Sequence, residues 1–155
     1  MSESTYAHSR PNFSGLHHLK LPAKDVLKTT KFYTEVLPFQ RDLKLDHQTP
    51  PPESRLFATI LCWEEVKLEI RQNEDWAEKT VGVDHITWTV DKREDLEHWT
   101  KWLDEKGVNH SRIFTGFSGW AMSVEDPDGR IVRLYTKEEH EWTTETDRDE
   151  YWLRN

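Results

Sequence analysis

One stretch of this chain is written twice. Gly15-Leu16-His17-His18-Leu19-Lys20-Leu21 is echoed by Gly82-Val83-Asp84-His85-Ile86-Thr87-Trp88, with both the glycines and His18/His85 67 positions apart. Self-similarity at such a period marks a duplicated supersecondary unit. Each copy also alternates in period two, as a half-buried strand does. Leu19 and Leu21 share one face, with His18 and Lys20 on the other. In the second copy Ile86, Trp88 and Val90 lie opposite His85, Thr87 and Thr89.

A helix pattern follows each strand. Asp25 is placed to cap a helix carrying Phe32, Tyr33, Val36 and Leu37 on one side. Asp91, with Glu94 three residues on, reads as a capping box. It opens a second helix with Leu96, Trp99 and Leu103 inward and Gly107 as its C-terminal cap. Three strands then follow in each half: about 39–45, 55–62 and 65–71, then about 109–114, 119–125 and 130–136. Pro50-Pro51-Pro52 falls in a loop. Asp126-Pro127-Asp128-Gly129 is a strong turn between the last two strands. The order is therefore βαβββ, twice.

With 155 residues the chain suits one domain built of two small repeats. We divide it into an arm (1–12), a domain (13–137, modules 13–72 and 80–137) and an acidic, aromatic tail (138–155) that Trp142, Tyr151, Trp152 and Leu153 equip to dock. A net charge of −8 argues against general binding to nucleic acid or anionic membrane. No stretch approaches the roughly 18 apolar residues of a membrane span. Cys62 is the single cysteine, which excludes an intrachain disulfide and makes a reducing, cytoplasmic setting the simpler reading. No secretory leader is visible in residues 1–12.

The paired Gly-x-x-His strand starts, Phe32-Tyr33 followed by Val36-Leu37, and Asp126-Pro127-Asp128-Gly129 together resemble the glyoxalase/bleomycin-resistance/dioxygenase (vicinal oxygen chelate) superfamily over about residues 13–137. The resemblance implies an α+β fold: two βαβββ modules forming a curved open half-barrel sheet, with helices on the convex face. It implies a small oxygenated organic ligand, a homodimer, and often one divalent metal on the concave side. Carried over by position, the metal ligands would be His18, His85 and Glu69. The fourth position, four residues after the turn glycine, holds Arg133 where a glutamate is usual.

Two readings follow. His18, Glu69 and His85 can form a facial triad with open positions for a metal of unspecified identity. Alternatively no cofactor is used. Arg133, which cannot ligate, then replaces the metal's charge, pairs with Glu69 and stabilises an anionic oxygen, while His18 or His85 moves the proton. Alternation places Lys20, Lys67, Arg71, Thr87, Ser123 and Tyr135 in the same cavity as substrate contacts. That local basicity favours an anionic ligand. The chemistry implied is an isomerase, lyase or cyclase step through an enolate-like intermediate. The missing glutamate disfavours a ring-cleaving dioxygenase and a glutathione-dependent glyoxalase. A non-catalytic binder that sequesters its ligand is the alternative class.

Other residues carry plainer expectations. His17 reads as facing the helix layer or solvent, His47, His98, His110 and His140 read as surface residues, and Glu69 serves equally as an ion-pair partner of Lys67 or Arg71. Trp88, Trp99 and Trp102 read as helix–sheet core, while Trp63, Trp76 and Trp120 stay open. Cys62 reads as a small buried residue without an activating partner.

Overall fold

Alternating apolar side chains give each module one greasy sheet face, and a helix covers it. The computed structural model describes residues 11–64 and 66–146. The first sheet contains β1 (Leu19–Ala23), β2 (Gln40–Arg41), β3 (His47–Gln48), β4 (Leu56–Leu61) and β5 (Lys67–Gln72), in the order β1-β5-β4-β2 with β3 also on β4. The second contains β6 (Asp84–Val90), β7 (Phe114–Thr115), β8 (Trp120–Glu125) and β9 (Ile131–Thr136), in the order β6-β9-β8-β7. In both, the repeated strand runs parallel to the last strand of its module, and the rest is antiparallel. This is the expected pair of βαβββ modules, without barrel closure. The described residues show two sheets rather than one joined sheet, with β1 and β6 each at an edge.

Asp25 caps α1 (Val26–Lys31) by accepting the Lys28 N–H at 3.0 Å. The helix then widens into a π-helical turn over Phe32–Val36, where Leu37 N–H bonds Phe32 O at 3.1 Å. Widening turns both Phe32 and Tyr33 inward. In the second module α3 (Arg93–Lys106) buries Leu96 and Leu103 and ends on Gly107 at φ 65°, a left-handed cap that suits glycine. One apolar cluster unites the two modules. Leu21, Ala58, Ile60, Leu68 and Ile70 of the first sheet join Met122, Val124, Val132 and Leu134 of the second, with the helices among them. Each such large aliphatic contributes about 1.5–3 kcal/mol by leaving water.

Several local expectations are corrected. The strand foreseen over 39–45 is interrupted, because Asp42 accepts the Lys44 N–H to cap a 3-10 turn and Arg41 pairs with Asp46 across it. The strand foreseen over 109–114 shrinks to β7 and a lone bridge between His110 and Val124. The start of α3 is closed by Asp95, which accepts the Lys92 N–H; Asp91 instead pairs with Lys137. A short helix unforeseen in the sequence, α2 (Glu74–Lys79), links the modules under an Asn73 cap. His110 is not a plain surface residue: its ring is held by Asp104 and the Ser111 carbonyl. Of the tail, residues 138–146 do dock. Thr143 N–H bonds Phe117 O, and Trp142 stacks on Phe117. Tyr151, Trp152, Leu153 and residues 1–10 lie outside the described residues.

Candidate functional site

Register sorts the candidate residues into two groups. On the open face of the first sheet, Lys20 and Thr59 lie beside Glu69, and Phe57 beside Arg71. Glu69 takes an ion pair with Arg71 at 3.4 Å, and the Arg71 guanidinium lies over the Phe57 ring. Lys67 is two residues before Glu69 on the same strand. His18 precedes β1; its Nδ1 meets His17 Nδ1 at 2.7 Å, while its Nε2 is enclosed without a partner.

On the second sheet, Thr87 and Ser123 flank Arg133 on opposite sides. Arg133 pairs with Asp84 at 2.6 Å, its side chain only 12% exposed, and its guanidinium lies over Phe114. Arg133 was expected to pair with Glu69. It does not, because Asp84 precedes a β-bulge that breaks the register between Asp84 and Ile86. The bulge puts Asp84 in line with Ile131 and hence with Arg133. Asp84 went unrecognised in the sequence, since strict alternation would have sent it to the other face.

The same bulge moves His85. Alternation predicted it beside Thr87; instead its Nε2 lies 3.2 Å from Tyr33 Oη. Tyr33 also donates to Asp126 at 3.4 Å. This is the edge of a buried network centred on Arg130, whose side chain bonds Asp126, Asp128 and the Pro22 carbonyl. Burial, and then the Asp126 charge, raise the Tyr33 phenol well above its ordinary value. Burial, and then the Arg130 charge, lower His85. The unfolded chain therefore takes up a proton on this ring that the folded chain refuses. Stability from this residue is complete above the ordinary histidine value near 6.5 and falls as pH drops toward the folded value. The urea midpoint should fall between pH 8 and pH 5, and His85→Gln should flatten part of that slope. An unchanged slope would contradict the burial.

Tyr135 is anchored through its hydroxyl. Its hydroxyl accepts the N–H groups of Ser118 and Gly119, at 3.3 and 3.1 Å. A Cβ on Gly116 would stand 2.5 Å from that hydroxyl. Gly116→Ala should cost roughly 1–3 kcal/mol by overpacking, read as a lower urea midpoint, and should displace Tyr135. Burial pushes the Cys62 thiol up to about 12, which disfavours the nucleophilic thiolate.

A family profile for the glyoxalase/bleomycin resistance protein/dioxygenase superfamily matches residues 15–134. The chain belongs to this superfamily. No curated sequence is similar enough to match it. Among solved structures it is similar to a domain of the superfamily from Frankia sp. EAN1pec, at 19% identity and TM-score 0.65, over 81% of this chain and 93% of that one. It is also similar to the fosfomycin resistance protein FosX from Listeria monocytogenes, at 19% identity and TM-score 0.64, over 81% and 94%. A lactoylglutathione lyase from Agrobacterium tumefaciens aligns at 15% identity and TM-score 0.60, over 82% and 96%. At these identities the likeness is one of fold.

Superfamily members often use a divalent metal, which requires several donor side chains to converge. Among the described residues no three His, Cys, Asp or Glu side chains stand together as ligands. Within one chain Glu69 belongs to the first sheet and His18 directly precedes it, His85 is engaged by Tyr33, and the fourth position carries a guanidinium. The residues as placed in one chain do not fit the metal triad. No helix among the described residues is long and apolar enough to cross a membrane.

Proposed function

We propose that this chain is a small-molecule enzyme of the superfamily that works without a resident metal, on an anionic oxygenated substrate, by an isomerase, lyase or cyclase step through an enolate-like intermediate. The observation that carries this reading is Arg133, ion-paired to Asp84 and flanked by Thr87 and Ser123. A fixed guanidinium in a half-buried site stabilises a developing oxyanion, and its five donors suit carboxylate or enolate oxygens. Asp84 orients the fork, and Tyr135 walls the same face behind the Gly116 turn.

The proton shuttle in this reading is His18, whose enclosed Nε2 has no partner. Lys20, Lys67, Glu69 and Arg71 lie on the other sheet and His18 just ahead of it, so the complete site needs a second copy, whose first sheet faces the second sheet of its partner. A homodimer then carries two equal sites. Lys20, Lys67 and Arg71 add the positive field that draws an anion into an acidic protein.

Deuterium exchange tests the reading. Purified protein is incubated in D2O with a panel of small 2-oxo and 2-hydroxy acids, and proton NMR follows the C3 hydrogens of the oxo acids and the C2 hydrogen of the hydroxy acids. Exchange with at least one acid, undiminished by EDTA, is the expected result. Exchange abolished by chelation and restored by metal would establish the metal reading instead. Tight binding without exchange would make the protein a binder.

A further inference from the structure

Each open sheet face carries an arginine held over a phenylalanine. On the second sheet Arg133 lies over the Phe114 ring at 5.4 Å and pairs with Asp84 at 2.6 Å. On the first, Arg71 lies over the Phe57 ring at 5.0 Å and meets Glu69 on its Nε side at 3.4 Å. His47 and Arg71 pair with Phe57 from opposite strands, and the His47 ring stacks on Phe57 at 4.4 Å with 10° between the planes. Beyond Arg71 stands Pro22 of β1, whose side chain offers no charge to compete for the guanidinium. The row therefore braces the plane of Arg71 from one side. Glu69 does not cancel the charge of this face, since Lys20 pairs with it in register and Lys67 lies two residues away. Among the described residues the Arg71 guanidinium makes no further ion pair or hydrogen bond, and its side chain is 42% exposed. Its outer N–H groups are thus available, in the planar arrangement that suits a carboxylate.

The two arginines do not hold equivalent places in the repeat. Lys20 and Thr87 each stand two residues after the repeated histidine, and they pair with Glu69 and Arg133 respectively. Glu69 therefore occupies in the first module the place that Arg133 occupies in the second, and Arg71 stands where the second has Tyr135. Between two like halves, the two guanidinium groups are offset by two residues, roughly 6–7 Å along a strand. A single carboxylate does not span such an offset. Two anionic groups on one molecule do.

We propose that the substrate is a small dicarboxylic acid, whose 2-oxo or 2-hydroxy end lies on Arg133 and whose far carboxylate lies on Arg71. This rests on the composite site proposed above and names its substrate class. Arg71 is then the residue that tells a diacid from a monoacid. Phe57 and His47 position it by stacking, and Lys20 and Lys67 supply field without a fork.

Titration calorimetry on the full chain tests this without requiring turnover. The probes are matched pairs of equal carbon number: 2-oxopentanedioate against 2-oxopentanoate, and 2-hydroxybutanedioate against 2-hydroxybutanoate. Wild type should bind the diacid of at least one pair more tightly by about tenfold or more, the worth of a charge-assisted hydrogen-bonded pair. Arg71→Gln, with unchanged far-UV circular dichroism, should erase that preference, and Arg71→Lys should restore part of it. Lys67→Gln removes the same charge from the same face and should keep most of the preference, which separates a fork contact from a general field. Equal affinity within both pairs, a preference that survives Arg71→Gln, an equal loss in Lys67→Gln, or binding of none of the four acids would overturn the proposal. Arg71-dependent diacid binding without deuterium exchange would refute only the catalytic reading. Exchange undiminished by EDTA and equally fast with monoacid and diacid would refute only the substrate class.

Discussion

Arg130→Ala should destabilise the protein more than any other single truncation on its polar side chains. The Arg130 side chain is 1% exposed, between Asp126 at 2.8 Å and Asp128 at 3.1 Å, both carboxylates also buried. Removing it strands two charges away from water, a loss of about 3–5 kcal/mol for a buried pair broken on one side. The effect should reach across the modules. Asp128 accepts the Lys24 N–H at 2.8 Å and the Thr29 hydroxyl at 2.6 Å, and Arg130 itself bonds the Pro22 carbonyl. The network therefore ties the end of β1 and the start of α1 to the turn between β8 and β9. Urea denaturation should show the loss as a lower midpoint, while Arg130→Met combined with Asp126→Asn and Asp128→Asn should recover part of it, because no net charge is then left buried. A loss below about 1 kcal/mol, the range of surface pairs, would mean that water reaches the cluster.

The second large effect concerns activity. Arg133→Ala should lower the rate of deuterium exchange by about 10²–10³-fold, the usual cost of removing one oxyanion-stabilising donor. Arg133→Lys should recover only part of it, since an ammonium has no planar fork to align against Asp84 and a carboxylate together. Stability should change far less than in Arg130→Ala, because Asp84, 25% exposed, can rehydrate when its partner leaves. The rate constant of exchange and the urea midpoint, measured on the same samples, separate the two roles. Exchange unchanged in Arg133→Ala would leave this residue without a part in the chemistry.

The two arginines show what a linear reading can and cannot reach. Both follow the same Asp-Pro-Asp-Gly turn, three positions apart. Arg133 stood out because it occupies a position where another residue type was expected. Arg130 drew no notice as the first residue of the strand expected over 130–136. Its importance depends on two carboxylates, a carbonyl from 108 residues away and the exclusion of water, none of which is a property of a local pattern. Tyr33 likewise read as one apolar position of a helix, and only packing revealed its hydroxyl among Asp126 and His85.

The sequence by itself determined the duplication, the βαβββ order, the apolar faces and the turn before β9, because all of these follow from short-range periodicity. Alternation also set the faces of Lys20, Thr87 and Ser123, while strand pairing decided that Lys20 stands by Glu69, and Thr87 and Ser123 by Arg133. Tertiary structure alone decided where His85 and Asp84 point. One inserted residue at the start of β6 reverses the phase of alternation, and period-two reasoning contains no term for a bulge. It decided too that the two groups of candidate residues sit on separate sheets of one chain. The repeat specifies two like halves; how their edges meet is set by long-range packing of helices and buried charges between them.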